Sequence, residues 1–205
     1  EKYELGHKLI DGEPTKELVD GQDPDKLFVE RDILYLKDAT DSEEGGRMVI
    51  VLPKQNLSGA QEESVEFRKW LLKKVQITAI VDLPREAFQP HTGTKTSLVF
   101  LKKVKNIPED YPIFMAVSEA VGHDRRGNPL YKKDASGMNL LGDDGKEVIW
   151  NDLPEIYAQW NNYVLSGTVK DRTGEHEPSC FVINSKQILN DESRRIDAWY
   201  WDPNK

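Results

Sequence analysis

RMVIVLPKQNLSG, residues 47–59, puts five apolar residues, Met48 to Leu52, after an arginine and then turns polar at once. An apolar run this short and continuous predicts a strand covered on both faces, and Pro53 is a natural terminator for it. In open α/β sheets ligands collect beyond the carboxyl ends of such strands. Lys54, Gln55 and Asn56 are therefore the first residues to weigh as site residues.

The flanking sequence supplies the rest of a sheet. Before it, Asp23-Pro24 reads as a helix start, an Asp cap followed by Pro at the first helical position, with Leu27, Phe28, Ile33, Leu34 and Leu36 at helical spacing until Gly45-Gly46. After it, Gly59 leads into a helix over about 61–75, with Val65, Trp70, Leu71, Leu72 and Val75 on its apolar side and glutamates toward its N-terminus, where the dipole favours them. QITAIVDLP and SLVFLKKV are two more apolar runs, separated by the loop PHTGTKT. A strand–helix–strand crossover sets its two strands parallel. The link from the second run to the third, about fifteen residues without a helix signal, suits an antiparallel return. The expectation is an α/β fold with a mostly parallel sheet and an antiparallel strand near its edge.

Residues 1–24 read as loop with one short helical turn. Beyond residue 105 the chain changes character, which divides it into 1–105 and a smaller α+β extension, 106–205. In the extension IFMAVSEAV reads as a strand, DRRGNPLY as a hairpin tip, 134–147 as loop, the stretch from Asp152 as a helix, SCFVI as a last short strand and RRIDAWYWDP as an aromatic tail. No internal repeat is visible.

Composition bounds the function. The chain has 205 residues, 38% hydrophobic and 31% charged, with net charge −8, which describes a globular domain able to bury a core. No apolar stretch approaches the length of a membrane span and no signal-peptide pattern is present, so membrane partners are not expected and a cytoplasmic compartment is. The chain begins with Glu1, so it reads as a piece of something longer or as processed. The one cysteine, Cys180, excludes an internal disulfide and reads as a buried structural thiol. Nucleic acid wrapped over the whole surface is disfavoured, although basic clusters stand at Lys102, Lys103 and Lys105 and at Arg125, Arg126, Lys132 and Lys133. His7, His91, His123 and His176 show no metal-ligand spacing, and no Gly-x-Ser-x-Gly, Walker or Gly-x-Gly-x-x-Gly motif occurs.

What remains is a crevice at two strand ends, LPKQN and LPREAF, with the loop PHTGTKT. Lys54, Gln55 and Asn56 offer donors and acceptors, Phe88 a stacking face, Gly93 close backbone approach, and Thr92, Thr94 and Thr96 hydroxyls.

FVERDILYLKD…EGGRMVIVLPKQNLSG and FRKWLLKKVQITAIVDLPREAFQPHTGTKTSLVFLKK closely resemble the adenine-N6 DNA methyltransferase domain of modification subunits from type I and related restriction–modification systems. The resemblance runs over residues 24–105 and continues, less densely, in IFMAVSEAVGHDRRGNPLYKK and in SCFVINSK…RRIDAWYWDP. It implies the C-terminal half of a Rossmann-like class I methyltransferase sheet: 47–52 as its fifth strand, 77–82 as its sixth, and 97–102 as a reversed seventh between them. It implies S-adenosylmethionine as cofactor of the intact parent and duplex DNA as substrate. A specificity subunit or target-recognition domain would be a partner. Family members handle a flipped adenine. By resemblance Thr92, Gly93, Thr94, Lys95 and Thr96 stand nearest the target base, Phe88 next, and Lys54 and Asn56 touch substrate or the neighbouring catalytic loop.

The departures are as informative. The family's glycine-rich cofactor loop and its Asn-Pro-Pro-aromatic tetrapeptide are both absent, and EKYELGHKLI resembles the segment that follows the tetrapeptide. The expectation is a chain without catalytic, cofactor-binding or metal-binding residues of its own, inactive alone, whose partner is the missing N-terminal half or, by self-association, a second copy. The rival readings are a non-catalytic module docking a specificity subunit or DNA-recognition domain, and an unrelated Rossmann-like enzyme of small molecules.

Overall fold

The computed structural model describes residues 3–174 and 177–205, so Glu1, Lys2 and the expectation placed on His176 lie outside the described residues. Asp11 and Gly12 both take positive φ, +51° and +73°, the geometry of a two-residue primed turn. They join β1 (His7–Ile10) to β2 (Glu13–Leu18) in an antiparallel hairpin. This corrects the loop expected for 1–24. The single helical turn is there, as the 3-10 segment Glu4–Gly6, but the hairpin was missed because strands so short and so exposed carry almost no periodicity.

The next elements follow their sequence signals. Helix α1 (Pro24–Tyr35) starts at the expected Pro, then come β3 (Arg47–Pro53), the short α2 (Lys54–Ser58), α3 (Glu62–Lys74), β4 (Gln76–Asp82) and β5 (Thr96–Lys102). From the second part of the chain come β6 (Pro112–Val117), α4 (Leu153–Ser166), β7 (Ser179–Asn184), α5 (Ser185–Asn190) and α6 (Ala198–Trp201). No described helix is long and apolar enough to cross a membrane.

One sheet collects β3 to β7 in the order β3-β5-β4-β6-β7. β5 runs antiparallel to both of its neighbours, so β3 and β4 are parallel to each other with β5 between them. β4 and β6 pair in parallel, and β7 returns antiparallel to β6. The sheet of this α/β fold is mixed: β3, β4 and β6 run one way around the reversed β5, and β7, which the expectation of a single reversed strand did not include, is a second reversed strand at the far edge. As expected, the reversed strand β5 lies near an edge, one strand in from β3, and 106–205 lengthens the sheet on the other side by β6 and β7.

The two faces are covered unequally. On one, α1, α2, α3 and α5 bury Leu52, Phe67, Trp70, Leu71, Ile77, Ile80, Val99 and Leu101. On the other, α4 covers Ala79, Val81, Phe114 and Ala116, with Trp160 edge-on to Phe114. Cys180 lies in this second cluster, and burial pushes its thiol up to about 12. α4 does not reach β3, where Val49 and Val51 are 54% and 43% exposed. The expectation that 47–52 is covered on both faces is therefore corrected: β3 is the sheet's edge strand, apolar on both sides but packed on one. α1 shows the same asymmetry, since Val29 and Ile33 are buried while Phe28, Leu34 and Tyr35 are exposed.

Arg68 ties the layers together. Its side chain is fully buried and donates to the carbonyls of Asn56 (2.9 Å), Gly59 (2.7 Å) and Ser193 (2.7 and 2.9 Å). Burial lowers its guanidinium to about 10, still cationic at neutral pH, so three carbonyls are satisfied by one charge.

Residues 121–151 contain a repeat that the sequence reading overlooked. Asp124–Asn128, Asp134–Met138 and Gly142–Lys146 each form the same turn: the first N–H donates to the carbonyl four residues on, and a glycine at the fourth position, Gly127, Gly137 or Gly145, donates back with φ of +82°, +83° or +75°. Between the turns, Gly122 donates to Trp150, Trp150 to Leu130, and Leu130 back to Gly122; Lys132, Val148 and Leu140 close a second such ring. The expected hairpin tip at DRRGNPLY is the first of the three turns, and the loop at 134–147 contains the other two.

The hairpin's fit on α3 gives a stability test. A Cβ on Gly12 would meet the Lys69 carbonyl carbon and the Trp70 nitrogen at 2.7 Å, whereas one on Gly127 would meet nothing within 4 Å. Gly127→Ala should cost only left-handed backbone strain, about 1–2 kcal/mol. Gly12→Ala should cost that plus overpacking, about 3 kcal/mol. Urea denaturation of the two variants measures the difference, and equal losses would mean that the hairpin does not pack on α3 as described.

Candidate functional site

Three strand ends meet at one rim. The Lys54 N–H donates to the Lys95 carbonyl (2.9 Å) and the Leu83 N–H to the Thr96 carbonyl (3.0 Å). The ends of β3 and β4 thereby clamp the two sides of β5's entry, and the loop 83–95 is held at both ends. Beyond the rim opens a cleft of about 470 Å³, walled on one side by Lys54, Asp82, Lys95 and Thr96 and on the other by Ser118, Glu119, Arg172, Trp199 and the residues that follow it.

Its floor is a buried carboxyl pair. Asp82, last residue of β4, accepts a hydrogen bond from Ser97 Oγ at Oδ1 (2.6 Å) and from the Trp199 N–H at Oδ2 (2.9 Å). The same N–H reaches Asp197 Oδ1 (3.0 Å). Lys54 Nζ lies 3.0 Å from Asp197, 3.6 Å from Asp82 and 4.7 Å from the centre of the Trp199 ring. Burial, then the hydrogen bond and charge of Asp197, raise Asp82 to about 7. Burial also works to raise Asp197, but the hydrogen bond from Asp82 and the Lys54 ammonium outweigh it and hold Asp197 below the ordinary carboxylate range. Two adjacent carboxylates avoid facing each other as anions by keeping one proton. With Asp82 protonated, the Lys54 charge is matched by Asp197 alone. The group latches the C-terminal segment over the strand ends.

Loop 118–120 forms the far wall because Asp152, at the head of α4, accepts the N–H groups of Glu119 (2.6 Å) and Ala120 (2.9 Å). The Glu119 carboxylate is then free to pair with Arg172 at 3.2 Å.

The residues singled out from sequence do not all come together. Lys54, Lys95 and Thr96 line the cleft. Thr96 Oγ1 is buried without a hydrogen-bond partner. Thr92 and Thr94 are exposed in the loop and bond to each other through their hydroxyls (3.0 Å). A Cβ on Gly93 would meet only the end of the Gln89 side chain, so the fold itself does not require glycine there. Phe88 closes the 3-10 turn Arg85–Phe88 and is part-exposed away from the cleft walls. Asn56 is buried in α2, where its amide donates to Asp25 and its carbonyl accepts from Arg68, so its side chain serves packing rather than the cleft. Among the described residues no cluster of His, Cys, Asp or Glu could hold a metal.

Asp82, Ser97, Asp197 and Trp199 were missed. The available signals were an acid closing an otherwise apolar strand in IVDLP and another inside the aromatic tail RRIDAWYW.

The pair gives stability a definite pH dependence. Asp82's pKa is higher folded than unfolded, so its contribution is complete below its unfolded value of about 4 and is lost as pH rises to about 7. Asp197 is shifted the other way, and its contribution disappears only as pH falls through its depressed folded value. Thermal unfolding should therefore show falling stability between about pH 4 and pH 7, and Asp82→Asn should flatten that fall. Parallel curves for the two proteins would rule out a shared proton.

With the geometry in hand, known proteins supply a context. The family model described as N-6 DNA Methylase matches residues 24–144, more than half of the chain. No curated protein matches it. Among solved structures, a chain from work on complex assembly and conformational transition of the type I R-M system aligns with TM-score 0.59 and 18% identity, over 91% of this chain and 33% of that one. A modification subunit of a putative type I restriction enzyme from Vibrio vulnificus YJ016 aligns with TM-score 0.53 and 18% identity, over 88% and 32%. The type I restriction-modification methyltransferase subunit from Streptococcus thermophilus gives 0.50 and 17%, over 89% and 31%. At these identities the likeness is one of fold, and the chain spans about a third of the length of the structures it matches. The family match takes in α1, all of the β3-β5-β4 unit and both sides of the strand-end rim, so the chain belongs to the N-6 DNA methylase family.

Proposed function

We propose that this chain is the C-terminal part of the catalytic domain of a cytoplasmic adenine-N6 DNA methyltransferase from a restriction–modification system, with S-adenosylmethionine as methyl donor and duplex DNA as substrate. Residues 1–105 form the methyltransferase half, and 106–205 extend it toward a specificity subunit or target-recognition domain. The observation that carries this reading is β5, seated antiparallel between two parallel strands inside the segment that the family model matches.

The uncovered surfaces support it. β3 leaves one edge unpaired, and Val49, Val51, Phe28 and Leu34 are exposed around it. An open apolar edge is an aggregation liability unless another strand or helix covers it. In the parent protein the other half of the sheet is the natural cover; a second copy of this chain is the alternative.

The chain's own residues do not make a cradle for S-adenosylmethionine. The sequence has no glycine-rich turn after a strand and no Asn-Pro-Pro-aromatic tetrapeptide to orient the adenine amine. Orientation and electrostatic help would both have to come from elsewhere. The contribution of this chain is the rim. In this reading the loop with Thr92, Gly93, Thr94, Lys95 and Thr96, together with Phe88 and Lys54, stands beside the base once it leaves the duplex, because an exocyclic amine inside the stack is out of reach.

The isolated chain should transfer no methyl groups from labelled cofactor to duplex DNA, and activity should appear when it is joined to an N-terminal half carrying both missing motifs. Turnover by the chain alone would refute the half-domain reading. Inactivity of the joined protein would favour the non-catalytic docking module.

A further inference from the structure

We propose that residues 197–205 are a strap over the strand-end cleft, held shut by one proton that Asp82 and Asp197 share and released when that proton leaves. Such a strap governs access to the cleft whatever fills it, and does not depend on the proposed function.

Two buried acids and one cation hold it. Asp82 and Asp197 are 5% and 1% exposed and hydrogen-bond to each other, which two carboxyl groups can do only with a proton between them. Among the described residues Lys54 is the one cation within ion-pair distance of either, 3.0 Å from Asp197 and 3.6 Å from Asp82. Without the proton, two buried negative charges would face one positive charge, and an uncompensated buried charge is strongly unfavourable. The other charged groups of the cleft lie further out. Arg85, Glu86 and Lys95 stand on the loop after β4, Asp202 and Lys205 on the strap itself, and on the far wall Glu119 is paired with Arg172.

The acid pair is also where the segment can part. Up to Ile196 it is fastened by groups that do not titrate near neutrality. Arg68 holds the Ser193 carbonyl (2.7 and 2.9 Å), and the fully buried Ile196 donates its N–H to the Leu57 carbonyl (3.0 Å). Beyond Asp197 only Ala198 is buried, and Trp199 and Tyr200 are exposed. The strap's hydrogen bonds to the sheet are that of the Trp199 N–H at Asp82 (2.9 Å) and those that Ser179 Oγ makes with Asp202 (2.7 Å) and Asn204 (3.0 Å). Local opening of so lightly packed a segment needs no unfolding of the core.

The direction of the switch follows from where the proton goes. With the strap shut, Asp82 keeps its proton up to about pH 7. With the strap lifted, Asp82 faces water and has an ordinary value of about 4. Opening therefore releases a proton between about pH 4 and about pH 7, so rising pH favours the open strap across that window and has no further effect above it. Asp197 acts only below the window, because its own value is held low.

Hydrogen exchange at the Trp199 amide, followed by NMR in the 205-residue chain and corrected for the intrinsic rate, tests this. Protection should fall about 10- to 50-fold from about pH 5 to about pH 7, at most about tenfold per unit for one proton. Asp82→Asn, which donates to Asp197 as the protonated acid does, should stay protected throughout. Equal protection at Trp199 and at the β5 amides would mean that the strap leaves only with global unfolding, and would overturn the proposal. So would a wild-type profile as flat as that of Asp82→Asn, or a variant profile that falls as the wild type does. Should Asp82→Asn fail to fold, Ser97→Ala decides. It removes a donor that favours ionised Asp82, so the fall should move up by about one pH unit, and an unmoved fall would overturn the proposal.

Discussion

The double ladder of β5 is the constraint on which the rest depends. Thr96 to Lys102 pair with Pro53 to Arg47 on one side and, from Ser97, with Asp82 to Gln76 on the other. Pairing on both edges satisfies the backbone of a strand whose side chains are apolar on both faces. It also fixes the chemistry of the rim. Thr96 lies opposite Pro53 and Ser97 opposite Asp82, which lets the Ser97 hydroxyl reach the Asp82 carboxylate. A one-residue slip would turn every side chain of β5 to the other face, take Val99 and Leu101 out of the main core, and leave Asp82 without its donor.

Much of this was legible in the sequence where signals were local. The Asp-Pro start of α1, the glutamate-rich first turn of α3 and the three apolar runs all fall where expected. The reversal of β5 follows from a linker that holds one 3-10 turn and no α-helix. The errors share a different cause. The stretch 47–52 reads as doubly covered because periodicity registers which residues are apolar, not which neighbours are present. Val49 and Val51 have the composition of a buried strand in a structure that leaves them half exposed, a discrepancy that the half-domain reading explains. The turns at 124–128, 134–138 and 142–146 escaped because their spacing is irregular and their flanking residues pair through isolated bridges rather than strands.

The site was legible only along single segments. Lys54, Lys95 and Thr96 could be found because each stands at the end of an apolar run. Asp82 looks like an ordinary strand terminator until its partner is known, and that partner segment lies 117 residues further on. Asn56 illustrates the opposite failure. It stands two residues beyond Lys54, yet α2 begins at Lys54, and two helical residues, about 200° of rotation, point its amide at Asp25 rather than into the cleft.

The long-range contacts make the rim and the C-terminal segment one mechanical unit. Arg68 holds the Ser193 carbonyl, the Ile196 N–H donates to the Leu57 carbonyl, and the Trp199 N–H caps the carboxyl pair. These three bonds fasten successive points of the segment to α3, α2 and β4. Lifting the segment would expose Asp82 and Asp197 to water, separate Lys54 from its counter-ion, and remove Trp199 and Lys205 from the cleft together. A ligand that binds the closed cleft must therefore stabilise the closed segment by the same free energy that the closed segment lends to binding. In a larger assembly, a partner that contacts residues 191–196, which do not line the cleft, would tune it without touching it.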